Sequence, residues 1–182
     1  AHRLRDYDGT TVLVTRDALD ALTLGDHLVF LEGGRVVQAG TPAEVIARPR
    51  SPYVAGVVGL NLVRGTLLAG SPAALELPDG THLVVAELPA GARPGDELLA
   101  TVNPAAVTLY TDRPAASARN LWELTVGAVT VTGQRARVRL HGIPGLELVA
   151  EVTLSAVTEL GVVTGARLWA GVKATEVEVY PA

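Results

Sequence analysis

The chain has 182 residues, a net charge of −4, neither Cys nor Met, and only 4% aromatic residues. The lack of cysteine excludes a disulfide scaffold, a Cys-ligated zinc or iron–sulfur site and a thiol nucleophile. The scarcity of aromatics and the acidic balance argue against a base-stacking nucleic-acid surface, so we expect no nucleic-acid partner. The apolar content of 48% is therefore made up mainly of Val, Leu and Ala.

Targeting and membrane segments are not visible in the sequence. No apolar run approaches the roughly 20 residues that span a bilayer, and no signal-peptide layout occurs. We therefore expect a cytoplasmic chain without direct membrane insertion. A reading frame normally starts with Met, whereas this one starts with Ala1, so we expect a fragment or a chain that lacks its start.

The beginning of the chain has an α/β pattern. Residues 10–15 form a β-branched run that is typical of a buried parallel strand. Residues 17–24 predict a short helix, which Gly25 is placed to end. Two strands, 27–31 and 35–39, are expected on either side of a Gly-Gly turn.

A second helix is predicted at residues 42–47 by strong start signals. Thr41 is a preferred N-cap, Pro42 suits the first helical position, and Glu44 completes a capping box. Pro49 stops this helix, and an apolar helical piece is expected at residues 53–58.

From residue 60 onward the pattern changes from helical periodicity to alternation. Residues 136–140 place three apolar side chains on one face and two arginines on the other, and residues 146–152 behave similarly. Short alternating runs separated by Gly, Pro and Asp79-Gly80 predict a small barrel or sandwich.

An internal repeat is the most informative feature of this β region. Residues 91–110 match residues 161–180 at a constant offset of 70, with pairs such as Leu98/Leu168 and Tyr110/Tyr180. Spacing and side-chain parity both agree, which predicts two homologous β modules. We place the domain boundaries at 1–59, 60–113 and 114–182.

Two segments of the second module carry candidate ligand-binding groups. The module opens with Ser117-Ala118-Arg119-Asn120 and closes with Lys173-Ala174-Thr175. Two hydroxyls, two cations and adjacent backbone N–H groups suit a compact, multiply charged oxyanion. Cations near strand ends are also commonly solvated, so composition alone leaves both interpretations open.

The repeat indicates that the site depends mainly on the second module. The positions equivalent to Arg119 and Lys173 are Leu60 and Asn103 in the first module. The first module thus keeps the framework and lacks both cations, which favours a role as a structural partner.

Other side chains give weaker signals. The histidines have no metal-ligand spacing, and we expect neither a metal site nor catalytic residues. The two glutamates near the C-terminus alternate on one predicted strand face, which is typically solvated, and the two tryptophans are expected in the core or at an interface. These residues are His2, His27, His82 and His141, Glu176 and Glu178, and Trp122 and Trp169.

The second module resembles the molybdate-binding Mop/TOBE family over residues 117–182. Besides the two segments above, the resemblance is carried by Val152-Thr153-Leu154-Ser155 and by Leu160-Gly161 with Gly165. Residues 60–113 resemble the degenerate half that precedes this module in transporter ATPases. The resemblance implies OB-like β barrels, molybdate or tungstate held near Ser117–Asn120 and Lys173–Thr175, and a homodimer formed through the β modules.

Residues 3–59 resemble the end of an ABC-transporter nucleotide-binding domain of the molybdate-importer type. The matching residues include 9–15, Asp17-Ala18-Leu19-Asp20-Ala21, Gly34-Arg35 and Gly40-Thr41-Pro42-Ala43-Glu44-Val45. The implied fold is α+β overall, an α/β remnant followed by two all-β modules. Membrane subunits, ATP and Mg²⁺ would belong to an intact parent transporter.

Two departures from that family affect the expected activity. Arg16 stands where the family has its switch histidine, and arginine cannot accept a proton. The chain also contains no G-x-x-x-x-G-K-[S/T] phosphate loop, no strand ending in an Asp–Glu pair and no ABC signature. We therefore expect no ATP hydrolysis by this chain alone.

Three functions remain open on the sequence. The first is the substrate-sensing part of a molybdate importer's ATP-binding subunit, whose occupancy restrains import. The second is a ligand-free dimerisation or regulatory scaffold of an ABC importer for sulfate or another substrate, with Arg119 and Lys173 paired to carboxylates. The third, an active ATPase subunit, applies only to a longer parent chain.

Overall fold

The computed structural model describes residues 9–115 and 117–182. The chain divides into two compact units, Ala1–Val58 and Gly59–Ala182, and its regular structure is mostly β with a few short helices. Residues 1–8, which include His2, lie outside the described residues. The first predicted domain includes these residues. Within the described residues, no helix is long and apolar enough to cross a membrane.

The first unit contains a β hairpin and three short helices. Leu28, Phe30, Val45 and Val54 form its buried apolar cluster, and the Phe30 and Tyr53 rings meet edge to face with centroids 6.3 Å apart. The predicted hairpin and helices are confirmed within one or two residues. The elements are α1 (Ala18–Leu24), β1 (Leu28–Glu32), β2 (Arg35–Gly40), α2 (Pro42–Ala47) and α3 (Pro52–Val58).

Side chains begin the first two helices as the sequence predicts. The Asp17 carboxylate accepts hydrogen bonds from the backbone N–H groups of Leu19 and Asp20 at 2.8 and 3.1 Å. At α2 the Thr41 hydroxyl accepts from the Glu44 N–H, and the Glu44 carboxylate accepts from the Thr41 N–H. Local sequence therefore fixes both starting points.

The strand expected at residues 10–15 is not formed. This stretch has no regular structure, and the side chains of Val12 and Val14 are 85% and 92% exposed. A strand requires a neighbour to receive its backbone hydrogen bonds. Within the described residues, no segment pairs with it.

The second unit is built from two five-stranded antiparallel sheets of the curled, OB-like kind. One sheet has the strand order β10-β9-β8-β11-β7 and the other has the order β12-β6-β3-β4-β5. A short helix, α4 (Leu154–Glu159), follows β10. The strands are β3 (Asn61–Leu67), β4 (Ala74–Glu76), β5 (His82–Val84), β6 (Glu97–Val102), β7 (Thr108–Tyr110), β8 (Asn120–Thr132), β9 (Arg135–Ile143), β10 (Leu146–Thr153), β11 (Arg167–Val172) and β12 (Val177–Pro181).

Equivalent structural elements recur in the second unit at the offset of 70. Strands β6 and β11 correspond residue for residue, and each leads into a 3₁₀ turn, Pro104–Ala106 in the first module and Ala174–Glu176 in the second. The glycines before these strands also correspond, since Gly95 and Gly165 have φ values of 93° and 88°. Such a backbone conformation favours glycine, which explains why the spacing is visible in the sequence.

The two modules exchange their last strands. Strand β7 of the first module pairs with β11 of the second, and β12 of the second module pairs with β6 of the first. One buried apolar cluster runs through both sheets and includes Val63, Leu98, Leu124 and Leu168. Each sheet is therefore completed by the other module, and the two modules share one core.

Candidate anion-binding cleft

A cleft of about 450 Å³ lies where the exchanged strand β7 meets the second module. The first module contributes its 3₁₀ turn and β7 to the walls, and the second contributes the segment before β8 and the end of β11. The lining residues are Asn103, Ala105, Ala106, Thr108, Tyr110, Ser117, Ala118, Gly171, Lys173 and Glu176. The strand exchange therefore makes this a cleft of both modules.

The cleft has a cation on one wall and a neutral amide at the equivalent position of the other module. Asn103 precedes its 3₁₀ turn and accepts a hydrogen bond from the Ala105 N–H at 2.9 Å. Lys173 precedes the equivalent turn and makes no side-chain cap, because an ammonium group has no acceptor. The exposed Lys173 side chain is thus not engaged in capping.

Gly171 allows the walls of the cleft to approach each other closely. A Cβ at this position would lie 3.1 Å from the Tyr110 ring, 3.1 Å from the Leu121 side chain and 3.8 Å from the Ala118 methyl group. The equivalent residue of the first module is Thr101, which is buried. Close approach of β7 to β11 here depends on the absence of a side chain.

Three of the seven predicted site residues line the cleft together, namely Ser117, Ala118 and Lys173. Arg119 is exposed and lies outside the lining. Ala174 and Thr175 belong to the turn that follows Lys173 and are not among the lining residues either. Arg16, in the first unit, is exposed.

Asn120 is buried and its side chain is engaged by the first module. Its Oδ1 accepts from the Val84 N–H at 2.7 Å, and its Nδ2 donates to the Val84 carbonyl at 2.9 Å. Whether Asn120 also contacts a ligand stays a prediction, but these two bonds give its amide a structural role.

The charges around the cleft are mixed. In the described parts of the chain, the ion pairs join Arg64 to Glu97, Arg135 to Glu151 and Arg167 to Glu123, and neither Arg119 nor Lys173 takes part in them. Glu176 lines the cleft, however.

The expectation that Glu176 and Glu178 share one strand face is wrong, because Glu176 ends the 3₁₀ turn and only Glu178 lies in β12.

Sequence reasoning missed the contribution of the first module. Thr108 and Tyr110 reach the cleft because β7 pairs with β11 in the register Gly171↔Thr108 and Trp169↔Tyr110. The repeat aligned Tyr110 with Tyr180, but a repeat does not reveal which module a strand joins. One signal of this contribution was present in the sequence. Asn103 is the repeat equivalent of Lys173, and it lines the same cleft.

The tryptophans are expected in the core or at an interface, and the structure confirms a core position for Trp122. Trp122 is buried in the core. Trp169 is half-buried, and the Arg113 guanidinium lies 5.4 Å from its ring centroid, a cation–π contact. This contact joins the end of the first module to β11, two residues from Gly171.

Comparison with known proteins places this unit in a family. A family model described as the TOBE domain matches residues 116–179. The chain is 40% identical over 176 residues to the molybdenum import ATP-binding protein ModC of Mycobacterium tuberculosis, covering 94% of this chain and 46% of that protein. It is 29% identical over 182 residues to the molybdate/tungstate import ATP-binding protein WtpC of Pyrococcus horikoshii, covering 97% and 49% respectively.

A solved structure agrees with this relationship. The cytoplasmic molybdate-binding protein ModG, in a form with molybdate bound, matches with a TM-score of 0.60 and 30% identity, over 67% of this chain and 96% of that one. The chain therefore contains a TOBE domain at residues 116–179. It is related to the ATP-binding subunits of molybdate-type ABC importers, and it spans about half the length of the two import ATP-binding relatives.

Proposed function

We propose that residues 59–182 bind a tetrahedral oxyanion, molybdate or tungstate, in the cleft between the exchanged modules. The observation that carries the proposal is the convergence of Ser117 and Lys173 on one cleft, although 56 positions separate them in the chain. Lys173 would supply the charge and the Ser117 hydroxyl a directed donor. Two comparisons support this ligand class. ModG is a molybdate-binding protein, and ModC and WtpC are import ATP-binding proteins for molybdenum and for molybdate or tungstate.

The physical basis is a charge-assisted hydrogen bond in a partly enclosed space. Lys173 is the only lysine of the chain, and its ammonium offers three donors. Thr108, Tyr110 and Asn103 add neutral polar groups from the first module. Such neutral donors can bind an anion's oxygens without raising the net positive charge of the cleft.

The importer relatives also support a finer role within this proposal. The chain would form the C-terminal regulatory part of an importer's ATP-binding subunit, in which occupancy of the cleft reports oxyanion level on the cytoplasmic side and restrains import. That role requires the oxyanion to bind two conformations of the transporter with different affinity. Residues 1–59 would be the end of the ATPase domain, and the homodimer, membrane subunits, ATP and Mg²⁺ would belong to the intact transporter.

Calorimetric titration with molybdate tests the proposal directly. Hydrogen bonds to charged groups contribute about 1.5–3 kcal/mol, so Lys173→Ala should weaken binding about 10- to 100-fold. Arg137→Ala is the matched control, because it removes an exposed cation on β9 that does not line the cleft. Equal affinity of wild type and Lys173→Ala, or no binding by the wild type, would contradict the proposal.

A ligand-free scaffold is the second candidate, and Glu176 favours it. A carboxylate in the same cleft as Lys173 offers the lysine an internal partner and repels an anion. Under this alternative, molybdate and sulfate would produce no heat of binding.

A further inference from the structure

Two buried asparagines bridge the modules in the same way. Asn61 begins β3 and Asn120 begins β8, with exposed fractions of 4% and 1%. The Asn61 side chain bonds to both backbone groups of Val149, with distances of 2.6 Å from the Val149 N–H to Oδ1 and 2.9 Å from Nδ2 to the carbonyl. Asn120 makes the same pair of bonds with Val84.

The amide side chain suits this bridge because it presents one acceptor and one donor side by side. It can therefore pair with the N–H and C=O of a single residue, as a strand neighbour would. Removing one asparagine leaves two part-buried backbone groups of the other module without these partners, which destabilises the folded unit. Each bridge thus fixes the start of one module's first strand against the other module.

The two bridges differ in what precedes them. Asn120 is separated by one residue from Ala118 and by two from Ser117, and both of these line the cleft. Asn61 follows Gly59 and Leu60, which do not line it. The same pair of asparagine hydrogen bonds therefore holds a wall of the candidate site at Asn120 and a strand start away from the site at Asn61.

We infer that Asn120 is a positioning residue for anion binding. It fixes the Ser117-Ala118 wall of the cleft against β5 through Val84, and it sets the position of Ser117 opposite Lys173. The inference rests on the proposed function and extends it, because it makes affinity depend on a contact made outside the cleft. Asn61 contributes to stability alone.

The matched variants Asn120→Ala and Asn61→Ala separate the two roles. Both should lower the unfolding temperature by similar amounts, because each removes two equivalent part-buried hydrogen bonds. In calorimetry with molybdate, Asn120→Ala should weaken binding about tenfold or more, and Asn61→Ala less than about threefold. Equal weakening in the two folded variants would overturn the inference, whereas absence of binding by the wild type would overturn the proposed function.

A second measurement decides the matter if Asn120→Ala does not fold. Wild-type chain labelled with ¹⁵N is titrated with molybdate, and the amide resonances of Val84 and Val149 are followed. The Val84 amide should shift on binding, because it donates to Asn120, while the Val149 amide should remain in place. Equal shifts of both amides, or no shift at Val84 in the presence of binding, would overturn the assignment.

Discussion

At the scale of single residues, the cleft is lined by two opposite charges, those of Lys173 and Glu176. Lys173 has Asn103 as its repeat equivalent, and Glu176 has Ala106, so only the second module carries charges at these two positions. Exposed charges interact weakly in water and are screened by salt. Under the proposed function, the hydrogen bonds of Ser117, Lys173 and the neutral groups of β7 would therefore determine anion affinity, and Glu176 would act as a modest opposing charge.

Glu176→Gln should tighten molybdate binding about two- to fivefold at low ionic strength. Exposed charge pairs interact by about 0.2–1 kcal/mol, and removing the carboxylate removes repulsion of the anion. Calorimetry at low and high salt checks this, because the gain should shrink as salt screens the charge. Glu178→Gln is the control, since Glu178 lies in β12 outside the cleft lining. A weaker or unchanged affinity of Glu176→Gln at low salt would contradict the account.

At the scale of elements, the sequence is informative wherever structure depends on near neighbours. Capping residues predicted the start of α2. The alternation of apolar and polar residues predicted β9 and β10, and the internal repeat predicted β6 and β11. The partner of a strand is set by distant packing, so neither the exchange of β7 and β12 nor the exposure of residues 10–15 could be read from local pattern. The site followed the same rule, since Ser117 and Lys173 were predicted and the contribution of β7 was not.

The capping box of α2 predicts a pH-dependent stability. The hydrogen bond from the Thr41 backbone N–H, together with its hydroxyl, lowers the pKa of Glu44 from its ordinary value of 4.5. A carboxyl whose pKa is lowered by folding stabilises the folded state above its ordinary pKa, and this contribution is lost as pH falls through the lowered value. Glu44→Ala should therefore lower the unfolding temperature near neutral pH and have a much smaller effect in acid.

Thermal unfolding followed by circular dichroism, at neutral pH and then at successively lower pH below 4.5, compares wild type with Glu44→Ala as the carboxyl becomes protonated. Thr41→Ala serves as a companion variant, because it removes the hydroxyl half of the same box. A difference between wild type and Glu44→Ala that stays constant across this range would mean that the charged carboxylate does not stabilise the helix.

At the scale of the whole molecule, the two predicted modules of the second unit form one compact body. The strand exchange, the shared core and the two asparagine bridges each join the modules, and the cleft exists only where they join. The two modules also differ, since one carries the lysine and the other supplies neutral groups. A binding function that depends on both modules accounts for that division better than two independent modules would.

The most direct test of this account is the position of the bound anion. Crystals of the chain grown with molybdate, measured on both sides of the molybdenum absorption edge, reveal the metal by its anomalous signal. The account predicts a peak in the cleft, with the anion's oxygens within hydrogen-bonding distance of Lys173 and Ser117. A molybdate bound elsewhere on residues 59–182, or an empty cleft at a concentration that saturates binding in solution, would contradict it.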